Sequence, residues 1–113
     1  MLPGIFLPNL FTNSDMTSAI ESRDIYMQEL TLGNIHCWWT GVPVGTLQIQ
    51  WRNSIDEPWE IDSSSSVSVN GAGSVTYKLS DIGAGLGRVI YTPLSGSGNL
   101  YASWYGKVQS TYY

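Results

Sequence analysis

From Gly45 to Tyr105 apolar and polar side chains alternate through one short run after another: GTLQIQW, SVSVNG, SVTYKL, GRVIYTP and NLYASWYG. Each run is bounded by a turn rich in Gly, Ser, Asn or Pro. Alternation puts Leu47, Ile49 and Trp51 on one face of a strand, and Leu100, Ala102 and Trp104 on one face of another. Short strands with one apolar face each bury it by pairing two sheets or closing a barrel. The pattern predicts an all-β chain, a single-domain antiparallel β-sandwich, jelly-roll-like, of about eight strands.

The start of the chain reads differently. Met1 to Asn13 is apolar and interrupted by Pro3 and Pro8, which predicts an extended arm rather than a helix. Asn13 to Ser22 has the makings of one short helical turn capped by Asn13 or Ser14. Residues 1–22 are therefore expected to form an N-terminal arm and residues 23–113 the sandwich. The arm must cover either the domain's own sheet or a neighbouring subunit. Further along, Asp24 to Thr31 reads as a strand, Leu32-Gly33-Asn34 as a turn and Ser63 to Ser66 as a linker. Asp81 to Gly87 reads as a glycine-rich connection, Pro93 to Gly98 as a turn, and Val108 to Tyr113 as a final short strand.

Composition narrows the functional classes. Of the 113 residues, 42% are hydrophobic, enough for a core, but only 12% are charged, roughly half the usual globular share. Ser, Thr, Asn and Gly carry the polarity, as on surfaces covered by neighbours. Net charge is −4, and the basic residues Arg23, Arg52, Lys78, Arg88 and Lys107 stand singly. No nucleic-acid partner is expected from that spacing. The apolar start lacks a basic residue and an unbroken core, so it is not read as a secretory signal. No run approaches the ~20 apolar residues of a membrane span, and no membrane partner is expected. With one cysteine, Cys37, stability must come from packing.

Candidate chemistry is sparse. His36 is the one histidine, and its neighbour Cys37 points to the opposite face of a strand, which disfavours a nucleophile pair or a shared metal. Asp56, Glu57, Glu60 and Asp62 are weak calcium candidates. They lack the EF-hand spacing and glycine and read first as a solvated acidic loop. Gly83-Ala84-Gly85-Leu86-Gly87 lacks a P-loop ending and reads as a tight loop. No catalytic residue, metal or cofactor is expected. Trp39, Trp51 and Trp104 read as core. Trp38 and Trp59, with the terminal Tyr112 and Tyr113, are left as glycan or protein contacts. In the arm, Leu2, Ile5, Phe6, Leu7, Leu10 and Phe11 are the candidate interface.

One block adds a resemblance. It runs from Thr40-Gly41-Val42-Pro43-Val44-Gly45-Thr46-Leu47-Gln48-Ile49-Gln50 to a loop and Trp59. Asn70-Gly71-Ala72-Gly73-Ser74, Asp81-Ile82-Gly83, Arg88-Val89-Ile90-Tyr91-Thr92-Pro93 and Ser95-Gly96-Ser97-Gly98-Asn99-Leu100 follow. From about Ser22 to Lys107 the chain resembles small β-sandwich virion structural proteins of bacteriophages: capsid cement or decoration, vertex or tail-associated proteins. It departs from their pattern after Arg52, where acids follow Asn53-Ser54 instead of a longer insertion.

The resemblance implies a non-enzymatic structural protein, made in the host cytoplasm and built into the virion. Its expected partners are other virion proteins, such as major capsid or tail proteins, and further copies of itself in a homo-oligomer. The alternative from a different class is a carbohydrate-binding module that recognises surface glycans through exposed Trp and Tyr.

Overall fold

The computed structural model describes residues 5–28, 30–80 and 82–107. Among these residues the regular elements are all strands. In chain order they are β1 (Ile5–Asp15), β2 (Ile20–Glu21), β3 (Ile25–Tyr26), β4 (Leu32–Gly41) and β5 (Val44–Arg52). The series continues with β6 (Glu60–Asn70), β7 (Gly73–Ser80), β8 (Leu86–Ser95) and β9 (Gly98–Lys107). They form two antiparallel sheets, one in the order β1-β9-β4-β7 and the other β2-β8-β5-β6, with β3 also on β8.

The two sheets pack face to face. Ile35, Cys37 and Trp39 of β4 and Leu100, Ala102 and Trp104 of β9 come from one side. Leu47 and Ile49 of β5 and Val89 and Tyr91 of β8 come from the other, and all are buried. These are the positions that alternation selects, so the predicted all-β, sandwich-like layering is what the chain adopts. Fully covering one such side chain contributes roughly 1.5–3 kcal/mol, which makes this interior the main source of stability.

Residues 5–15 are part of the four-stranded sheet. β1 pairs with β9, from Ile5 opposite Gly106 to Asp15 opposite Asn99, with two register shifts. Leu10 and Phe11 reach the core beside Met16. No helical turn follows. Asn13 sits at φ 50, and the Asp15 carboxylate accepts from the Thr17 N–H and hydroxyl at 2.9 and 2.8 Å. That is an aspartate turn, which competes with helix for the same backbone.

Three other readings change. Leu32, Gly33 and Asn34 are strand, paired to both β7 and β9. Gly33 lies opposite Gly106, and a Cβ on Gly33 would sit 2.4 Å from the Trp104 ring. The glycine makes room for the indole; it does not turn the chain. The run Ser63 to Ser66 is a bulge inside β6, between the Leu47–Val67 and Ile49–Asp62 pairs. There the Ser65 hydroxyl accepts the Ile49 N–H at 2.7 Å and donates to the Asp62 carbonyl at 2.5 Å. The side chain takes the place of a ladder partner, so the strand continues. Finally, among the described residues of 24–31, strand is limited to Ile25–Tyr26, although Met27 and Leu30 are still buried. The expected strand over 108–113 lies outside the described residues.

Candidate functional site

The outward face of the four-stranded sheet is made by the other half of the alternation. Register sets Trp38 of β4 opposite Tyr101 of β9 and Ser74 of β7, and His36 opposite Ser103 and Thr76. Trp38 and Tyr101 stack with ring centroids 5.5 Å apart and planes 8° apart, and His36 stacks on Trp38 at 5.2 Å and 27°. His36 Nδ1 and the Thr76 hydroxyl are 2.8 Å apart. At the far side of Tyr101 the Asn13 side-chain carbonyl accepts from the Tyr101 hydroxyl at 3.2 Å and from the Asn99 amide. The left-handed conformation of Asn13, which asparagine tolerates better than most residues, belongs to the segment that brings this amide over the sheet.

Among the described residues no Asp, Glu, Lys or Arg stands in the middle of this face. The outward positions of β7 and β9 carry Lys78 and Lys107 at one end, and Asp15 of β1 stands at the other. The second sheet differs. Its outer side carries Arg52 paired with Asp24 at 3.1 Å and Arg88 with Glu21 at 3.3 Å. Both guanidinium carbons lie over the Trp59 ring, at 4.2 and 4.4 Å from its centroid. Trp59 thus holds the 53–59 loop onto the sheet through its arginines. It is not an open stacking surface, whereas Trp38 is 37% exposed.

The remaining candidates separate. In β1, Ile5 and Phe6 are exposed, Leu7 is half-buried, and Leu10 and Phe11 belong to this chain's own core. Phe6 is registered beside Tyr105, which is also exposed. Leu2, Tyr112 and Tyr113 lie outside the described residues. The four acids do not converge: among the described residues no cluster of three or more His, Cys, Asp or Glu is arranged to hold a metal. Glu57 accepts the Asn53 N–H at 3.1 Å. Asp62 accepts from Ser64 at 2.6 Å and from the Trp51 indole at 3.2 Å, and these hydrogen bonds hold its carboxyl below the usual carboxylate range.

Cys37 is fully buried with its side chain opposite in sense to His36, and burial pushes its thiol up to about 12. Gly85 accepts the Met27 N–H at 2.9 Å, and its near contact is the Asn53 carbonyl. The glycine loop therefore packs against its own chain. Between the sheets on the β6–β7 side lies an open recess of about 520 Å³, lined by Trp51, Asp62, Lys78, Leu79 and Ile82.

The sequence did not single out Tyr101 or Asn99 as site residues, and it offered Asn13 only as a helix cap. Alternation already puts Tyr101 opposite in sense to Leu100 and Ala102. The missing information was the register that sets it beside Trp38. Comparison with protein-family models and with curated proteins finds no match to this chain.

Proposed function

We propose that the chain is a non-enzymatic structural subunit of a bacteriophage particle, in a capsid cement or decoration, vertex or tail-associated role. In this reading it is a jelly-roll-like sandwich that assembles with copies of itself and with a capsid or tail protein. Its N-terminal segment is the arm that reaches the neighbour.

The observation that carries the reading is the exposed apolar end of β1. Ile5 is 50% and Phe6 60% exposed, on the free edge strand and beside Tyr105. Aromatic and aliphatic side chains grouped at a strand edge are characteristic anchors of a protein interface. Among the described residues β1 is an edge strand, and an edge offers backbone groups to another chain. The turn signatures behind the phage resemblance fall at real chain reversals: β4 to β5, β6 to β7 and β8 to β9. That agreement supports the same plan of strands.

The arm is shorter than the sequence suggests. Leu10 and Phe11 stabilise the subunit itself, so the part left for a neighbour ends near Leu7. The direct test is peptide-mass analysis of gradient-purified particles made by the replicon that encodes the chain. The expected result is this chain at a copy number stoichiometric with the shell or tail. Its absence from intact particles overturns the proposal.

A further inference from the structure

We propose that the outward face of the β1-β9-β4-β7 sheet carries a binding site for a neutral glycan, centred on Trp38 and Tyr101 and bordered by Asn13, Asn99 and Thr76. The inference does not depend on the phage reading.

A cross-strand aromatic pair stabilises a sheet by itself, and that alone accounts for two stacked rings. It does not account for what surrounds them. Trp38 keeps 37% of its surface open although it is flanked by two stacked rings. The apolar C–H face of a pyranose packs on such a ring, and its rim of hydroxyls needs donors and acceptors at the edge. Those groups are present. The Asn13 carbonyl accepts from Tyr101 and Asn99, and the Asn13 amide hydrogens and the Asn99 carbonyl take no part in those two bonds. His36 uses Nδ1 toward Thr76, so its contact with a ligand would be through Nε2.

The charge pattern selects the ligand class. The charged pairs Arg52–Asp24 and Arg88–Glu21 belong to the opposite sheet. On this face Lys78 and Lys107 stand at one end and Asp15, opposite Asn99, at the other. A sialylated or uronic ligand would find no lysine or arginine beside the Trp38–Tyr101 pair, where His36 is the one titratable neighbour, and a basic one would find a carboxylate only at the Asn99 border. The face is the outer side of a sheet, and Trp38 lines none of the four recesses described among these residues. It therefore fits a saccharide chain lying across the strands, rather than an enclosed monosaccharide. Trp59, held under two arginines, takes no part.

The test is titration of the full chain with neutral hexaoses of glucose, mannose and N-acetylglucosamine, alongside a glycan array carrying acidic glycans. Heat and tryptophan fluorescence report binding. The expected result is saturable binding to at least one neutral glycan, unchanged by chelator. Trp38→Ala weakens it roughly tenfold or more, the loss of one stacking contact. Asn99→Ala weakens it less, and Trp59→Ala leaves it unchanged. Near-ultraviolet circular dichroism verifies that each variant is folded, and Tyr101→Phe, which keeps the ring, guards against a Trp38 variant that is not.

No retention of any neutral glycan overturns the proposal. So does equal affinity in folded Trp38→Ala, or preference for acidic glycans. A change in oligomeric mass on Trp38→Ala without glycan binding assigns the face to a protein partner and also overturns it. The variant pair Ile5→Ser/Phe6→Ser is expected to leave glycan affinity intact, which separates this site from the assembly surface.

Discussion

Cys37 and Gly33 show how differently single residues announce themselves. Cys37 was readable as a core thiol because it shares a face with Ile35 and Trp39. Its consequence is a pH effect of definite sign. Burial raises the folded thiol to about 12, above the ~8.5 of a free thiol. The contribution is complete below the unfolded value. It is lost as pH climbs from there toward the folded value, because only the unfolded chain gives up the proton in that window. Chemical denaturation should show stability falling with pH above the free-thiol value, with a shallower fall in Cys37→Ala. The native thiol should also resist a thiol reagent that modifies it on unfolding; rapid native labelling would contradict its burial. Gly33 misled, because a Gly-Asn pair looks like a turn. Its reason is the Trp104 indole, 2.4 Å from where a Cβ would be, and no local pattern reveals a contact with a ring seventy positions away in the chain. Gly33→Ala is expected to destabilise by about 1–3 kcal/mol through overpacking, measured by urea denaturation. An unchanged midpoint would show that the ring moves aside freely.

Among elements, the long strands β4, β5, β8 and β9 were legible because each holds several alternations, and one buried face fixes them. β6 was not. Its run Ser63 to Ser66 carries no apolar period, and it stays a strand through the Ser65 hydroxyl bound to the Ile49 N–H at 2.7 Å. Ser65→Ala leaves that buried donor without its partner, a change that costs about 1–3 kcal/mol. Denaturation and amide exchange at Ile49 should both report it. If Ser65→Ala matches the parent in both, water takes over the role and the bulge is not held by the side chain. β1 was half legible: its prolines and apolar residues read as an extended arm over either its own sheet or a neighbour, and its pairing with β9 puts Leu10 and Phe11 into its own core. The candidate face on the other side of the same sheet was half legible: Trp38 was visible as outward, while its partner Tyr101 depended on the pairing of β4 with β9.

At the scale of the whole molecule, the two sheets divide the labour. Their inner faces supply the folding energy, and their outer faces differ in kind. One is tied by ion pairs and by arginines over Trp59; the other is aromatic and uncharged at its centre. The exposed end of β1 lies at the edge of the aromatic, four-stranded sheet. A molecule arranged in this way presents surfaces for contact, and self-association through Ile5 and Phe6 is the claim on which the structural reading turns. Sedimentation velocity over a wide concentration range tests it most directly. The account predicts a concentration-dependent oligomer for the parent chain and a folded monomer for Ile5→Ser/Phe6→Ser. A parent chain that stays monomeric throughout, or a double variant that associates as well as the parent, would contradict it.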